Sequence, residues 1–305
     1  MILICGLQDD PPIALLIRAL KKLGSSFLVL DQDQFENRVH CHWQLGEHGL
    51  SGQITVGEKS IELTQIKAVY SRFMPVDRLP CVMKGQAGTG HIRSVTNALV
   101  DLFDILPARI VNPRRAMMSN NSKPYQALLI RDAGFAVPET IITNQFERVL
   151  AFQQSHAELV YKSASAVRSI VKILGPQETL RLTQVSYLPT QFQNRIEGFN
   201  VRVHVVGNEV FACKIVTGAT DYRYAALDKE QVTFTSYELT DDLRERCLAL
   251  AERCGMSFVG IDLIVGEKGV VCLEVNPSPA YSYYESATDA PISYALARHL
   301  ADPIL

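Results

Sequence analysis

The run Val259-Gly260-Ile261-Asp262-Leu263, followed after a short polar connector by Leu273-Glu274-Val275-Asn276-Pro277, constrains this chain more than any other stretch. Both segments read as strands of one hairpin, yet they carry three oxygen-bearing side chains in a strongly apolar setting, where carboxylates are seldom buried without a partner. Glu274 and Asn276 lie two apart and project from one strand face. The connector Gly266-Glu267-Lys268-Gly269 predicts a three-residue loop, 267 to 269, with Gly269 in the left-handed conformation. That odd length pairs position 262 with 274 and sets Asp262 beside Glu274; a four-residue loop would turn it to the other face. Asp, Glu and Asn oxygens converging on one surface suit hard magnesium, above all magnesium already carrying phosphates. A half-exposed hairpin with a solvated polar face fits the same spacing.

Length and composition bound the alternatives. At 305 residues about two domains are expected, or three small lobes. An apolar fraction of 47% is ample for a core, and a net charge of −2 lacks the basic excess of a nucleic-acid binder. The seven cysteines, an odd number, are scattered with no metal-type pairs, which suggests reduced thiols in a cytoplasmic protein. Met1-Ile2-Leu3-Ile4 runs directly into Asp9-Asp10 without a basic region, so no signal peptide is expected. No apolar run approaches membrane-spanning length, so a soluble chain with no membrane partner is expected.

The first third reads strand, helix, strand: Ile2–Cys5, a helix opened by Pro11-Pro12 and closed at Gly24, then Phe27–Leu30. A meander or hairpin is expected from Trp43 to Leu63, a strand at Ile66–Tyr70, and a helix from Ile92 to Leu106. The pattern restarts at Val111-Asn112-Pro113, placing a boundary there. Ser122 caps a helix that Gly134 ends, and Thr240 caps another that Gly255 ends.

Further polar groups share the middle of the chain. Lys123 stands in the first turn of a helix and Lys162 at the end of an apolar strand. Ser163, Ser165, Arg168 and Ser169 follow, and small hydroxyl residues in a tight loop can offer donors to phosphate oxygens, with Lys and Arg adding charge. A Ser-rich surface turn is the plainer account. In Gln193-Asn194-Arg195-Ile196-Glu197-Gly198-Phe199-Asn200-Val201-Arg202, an extended hinge can cover a purine, Asn200 can reach a ribose hydroxyl, and Arg202 stands in register with Asn200. Arg202 and Lys214 could equally pair with acidic neighbours on an exposed sheet face. Asp221 to Tyr224 and Tyr281 to Tyr284 are either acceptor-lining aromatics or packing residues.

The order of these pieces resembles the ATP-grasp ligases over essentially the whole chain, nearest to the RimK-like amino-acid ligases and the graspetide (microviridin-type) peptide cyclases. The resemblance implies an α/β chain with α+β lobes: an N-terminal βαβ pre-ATP-grasp domain (1–112), then two lobes (113–189 and 190–305) clasping the nucleotide. It implies ATP and Mg2+ as cofactors. Lys123 and Lys162 resemble the lysines that bracket the α- and β-phosphates, with Ser163, Ser165 and Ser169 in the phosphate loop. Gln193, Asn194, Arg195 and Ile196 resemble the adenine hinge and Asn200 the ribose ligand. Arg202 and Lys214, with Arg168, resemble the γ-phosphate and acyl-phosphate contacts. Asp262, Glu274 and Asn276 resemble the magnesium ligands. The loop from Ser163 to Arg168 lacks the glycines usual there, so its grip rests on Ser and Arg168. Gly260 stands where D-alanine ligases carry an active-site Arg, which argues against that substrate class. The implied activity joins a carboxylate and an amine, from a peptide or an amino acid, through an acyl phosphate, releasing ADP. A small-molecule or dipeptide ligase and a non-catalytic nucleotide-binding regulator are the alternatives; a homodimer is allowed for.

Overall fold

The computed structural model describes residues 1–164, 171–218, 222 and 231–303. Two compact units emerge: Met1–Ala116 with Gly255–Phe258 and the segment from Ala280 on, and Met117–Cys254 with Val259–Pro279.

In the first unit four parallel strands run in the order Phe27–Asp31, Ile2–Gly6, Ala68–Arg72, Arg109–Val111. All five residues of Ile2–Gly6 are buried, as a parallel strand covered on both faces requires. The helix Pro11–Lys22 starts at its proline pair and buries Ile13, Leu16 and Leu20; Gly24, at φ +66°, turns the chain out of it. The helix Thr89–Phe103 buries Ile92, Leu99 and Leu102 in a cluster with Leu3, Cys5, Leu30 and Val69. The expected meander is a separate antiparallel sheet of Val39–Gly46, Gly49–Val56 and Lys59–Glu62.

Two features of this unit were not legible in the sequence. A short fourth strand, Arg109–Val111, occupies the stretch where the pattern restarts. The last helices, Ser282–Thr288 and Ile292–Ala301, also belong here: Tyr281 and Tyr284 are fully buried, and the Tyr281 hydroxyl donates to the Pro12 carbonyl at 2.6 Å. These two tyrosines are therefore packing residues.

The second unit contains two further sheets, the first of them antiparallel. One runs Lys172–Ile173, Leu159–Ser163, Thr190–Asn194, Thr140–Thr143. Its Leu159 and Phe192 pack on Val149 of the helix Phe146–Gln154. The other runs Thr233–Ser236, Glu209–Val216, Phe199–Val206, Phe258–Gly266, Gly269–Asn276. Both predicted caps form: the Ser122 hydroxyl accepts from Tyr125 N–H and Thr240 from Leu243 N–H, starting the helices Lys123–Asp132 and Asp241–Arg253. Among the described residues no helix is long and apolar enough to cross a membrane.

Candidate functional site

The hairpin closes with two loop residues, Glu267 and Lys268, rather than the expected three, because Gly266 pairs with Gly269. Continued without interruption, that register would set Asp262 opposite Leu273. A β-bulge between Asp262 and Leu263 shifts it by one residue, and Asp262 pairs with Glu274 after all. Gly260 pairs with Asn276, so the alternation of the two strands puts Asp262, Glu274 and Asn276 on one face.

Arg202 joins that face from the neighbouring strand. Its Nη1 donates to Asp262 Oδ2 at 2.7 Å, its side chain is 5% exposed, and the Tyr222 hydroxyl donates to the other Asp262 oxygen at 3.3 Å. The room for this guanidinium comes from Gly260, where a Cβ would lie 2.2 Å from Arg202 Nη2. Gly198, at φ +147°, is fixed in the same way, since a Cβ there would lie 2.4 Å from the Val265 carbonyl oxygen. It lets the hinge segment lie against the hairpin.

The four-stranded sheet supplies a second polar face. Gln191 pairs with Lys162 on one side and Ile142 on the other, and Gln193 with Val160 and Thr140, so these six side chains share one face. Phe192 and Tyr161 point the other way into the core. Gln193 Nε2 donates to Thr140 Oγ1 at 2.9 Å, while Gln191, 3% exposed, has an Oε1 without a hydrogen-bond partner among the described residues. Lys123, at the start of its helix, holds its Nζ 3.8 Å from Glu274 Oε2.

Two cavities, of about 310 and 220 Å³, share Pro138, Lys162, Gln193, Leu273 and Glu274 in their walls. Lys123, Gln126 and Gln191 line the larger; Asn194, Arg195, Ile196, Asn200, Tyr222 and Asp262 line the smaller. Predicted site residues from widely separated parts of the sequence thus meet around adjoining spaces. Asn276 stands at the end of the hairpin face, its Oδ1 accepting from Ser278 N–H at 3.1 Å. The donor set fits magnesium: two carboxylates, 15% and 25% exposed, and one amide, all oxygen. Among the described residues no three His, Cys, Asp or Glu side chains converge.

Some predicted residues are not brought in. Lys214 pairs with Val201, which faces away from Arg202, and its ammonium sits 4.1 Å from the centre of the Phe199 ring; contrary to expectation it does not join the Arg202 face. Ser163 pairs with Thr190 and alternates to the face opposite Lys162. Arg195 lines the cavity, but its guanidinium is turned to an exposed pair with Glu158. Ser165, Arg168 and Ser169 lie outside the described residues, as do Asp221, Arg223 and Tyr224. Conversely, sequence reasoning passed over Gln126 and Gln191 as site residues, whereas Tyr222, one of the aromatics read as lining or packing, stands in the cavity wall. Gln191 is in step with Gln193 on the same strand, a signal that could have found it; a mid-helix Gln126 offers none.

The family model for the RimK-like ATP-grasp domain matches residues 125–300, and that for the MvdD pre-ATP grasp domain matches residues 1–117. The chain belongs to the RimK-like ATP-grasp family. A probable alpha-L-glutamate ligase of Histophilus somni is 26% identical over 201 residues, which is 62% of this chain and 66% of that relative. This RimK-like chain is also similar to a Chryseobacterium gregarium RiPP-associated ATP-grasp ligase solved with ADP and a leader and core peptide. That match has a TM-score of 0.83 at 20% identity and covers 100% and 99% of the two chains. The ATP-grasp ligase PsnB, solved with a minimal precursor, Mg and ADP, matches with a TM-score of 0.77 at 25% identity over 98% of this chain and 96% of that one.

Proposed function

We propose that this protein is an ATP-dependent carboxylate–amine ligase that forms an amide within or onto a peptide, through an acyl phosphate, releasing ADP and phosphate. The observation that carries this reading is the convergence of Lys123, Lys162, Arg202, Asp262 and Glu274 around adjoining cavities, with the amide-rich hinge from Gln193 to Ile196 in one wall. In support, relatives are named probable ligases, and two of the structures it resembles along nearly its full length hold a leader and core peptide or a minimal precursor.

Little covalent chemistry falls to the protein, so rate comes from alignment and charge neutralisation. Lys123 and Lys162 meet the non-transferred phosphates. Asn200 addresses the ribose and the hinge covers the base. Arg202, held in line by Asp262 and seated over Gly260, faces charge that builds on the transferring phosphoryl group. Magnesium, held by Asp262, Glu274 and Asn276, would neutralise the phosphate oxygens. An acyl phosphate hydrolyses readily, so water must be kept out until the amine arrives. The division into an N-terminal domain and two lobes, with boundaries near 112 and 189, belongs to this reading. So does a cytoplasmic location, where ATP is supplied and the seven free cysteines remain reduced.

The names of the curated relatives favour a second reading, addition of glutamate to an acceptor. The test combines phosphorus NMR with mass spectrometry of candidate peptides. ADP and phosphate with loss of one water per bond supports peptide cyclisation; gain of a glutamyl residue supports the second reading. Pyrophosphate appearing in step with turnover would refute both, because this reading has Arg202 and the magnesium ligands serve the terminal phosphoryl group.

A further inference from the structure

Gln126 lies one helical turn after Lys123, on the same face of the helix Lys123–Asp132, and is 4% exposed. Its side-chain amide meets the backbone of Val275 twice: Nε2 donates to the Val275 carbonyl at 2.8 Å, and Oε1 accepts from Val275 N–H at 3.0 Å. Val275 is fully buried on Gly269–Asn276, the edge strand of its sheet, so without this amide both backbone groups would lack their partner there. The neighbours of Val275 in sequence are Glu274 and Asn276.

We propose that Gln126 is the positioning residue that sets the metal–phosphate geometry. Acting as one more peptide unit on the sheet edge, it fixes the helix that carries Lys123 against the strand that carries Glu274 and Asn276. The 3.8 Å approach of Lys123 Nζ to Glu274 follows from that docking. This rests on the magnesium–nucleotide reading above. Partners behind metal ligands hold them in orientation, and their loss typically weakens metal-dependent affinity about 10–100-fold.

Asn112 supplies a matched comparison. It too is a buried amide gripping backbone, with Nδ2 donating to the Phe258 carbonyl at 2.5 Å and Oδ1 accepting from Ser257 and Phe258 N–H at 3.1 Å. Its partners in these bonds, Ser257 and Phe258, are not among the residues that line the two cavities.

The experiment titrates full-length protein with ADP, in magnesium and in EDTA, and records melting temperatures. The variants are Gln126→Ala, Gln126→Glu and Asn112→Ala. Gln126→Glu keeps the shape and the bond from Val275 N–H but turns an acceptor toward the Val275 carbonyl. Both Gln126 variants are expected to lose about tenfold or more of the affinity gained from magnesium. Asn112→Ala is expected to lower the melting temperature and keep the full magnesium effect. If Gln126→Glu folds and retains the wild-type magnesium effect, or Asn112→Ala loses as much of it, Gln126 is purely structural and the proposal falls. Should the wild type show no magnesium effect, or Glu274→Gln retain it, the metal reading itself fails, a result distinct from either.

Discussion

The guanidinium of Arg202 occupies the space where residue 260 would have a Cβ, so Gly260 is what allows Arg202 to reach Asp262. The atoms that a Gly260 side chain would strike belong to the end of a long side chain, so the fold can yield there while the site cannot. Gly260→Ala is expected to melt close to the wild type and to lose about as much rate as Arg202→Ala, on the order of 10²-fold, as for removal of one donor to developing charge. Wild-type turnover in Gly260→Ala would break the link between the two residues.

Glu274→Ala and Asn276→Ala are expected to abolish turnover, with a loss of at least about 10²-fold, because the metal-bridged phosphates lose their clamp. Circular dichroism should show the fold intact, since both side chains lie on the cavity face of the sheet. Full activity of both variants in magnesium rules out the ligand assignment.

Lys162→Ala is expected to weaken nucleotide binding more than Arg202→Ala does. Lys162 lines both cavities and meets phosphates already present in the ground state, whereas Arg202 acts as charge develops. ADP affinity and single-turnover rate, measured for both, separate the roles; the opposite ordering exchanges them.

Lys214→Met should stay within about threefold of wild-type activity, because its ammonium stacks on Phe199 on the other sheet face and the lost stacking is worth only about 0.5–1 kcal/mol of stability. A loss comparable to that of Arg202→Ala would return Lys214 to the site.

Thiol titration of the native protein at mildly alkaline pH should modify Cys41 first. Burial raises the thiol pKa of Cys41 as well, but Cys41 is only partly covered, whereas Cys5, Cys247 and, within the hairpin strand itself, Cys272 are buried with raised pKa values and react only on unfolding. Rapid labelling of Cys272 in the folded protein would contradict its burial.

Local chemistry made much of this protein legible from sequence alone. The Ser122 and Thr240 caps, the Pro11-Pro12 start and the glycine stops need only neighbours a few residues away, so the helices were readable. Alternation within single strands likewise set Glu274 beside Asn276 and Arg202 beside Asn200. The tertiary structure decided whatever depended on one strand meeting another. The two-residue turn alone would have separated Asp262 from Glu274, and a bulge that leaves no trace in composition restored the pair. Register across the neighbouring strand turned Lys214 away, a result hidden within its own strand because alternation fixes only relative facing. The burial of Tyr281 against Pro12 and the grip of Gln126 on Val275 join residues far apart in sequence. Such contacts exist only once the chain has folded, because side chains find those backbone groups through packing rather than through any local preference.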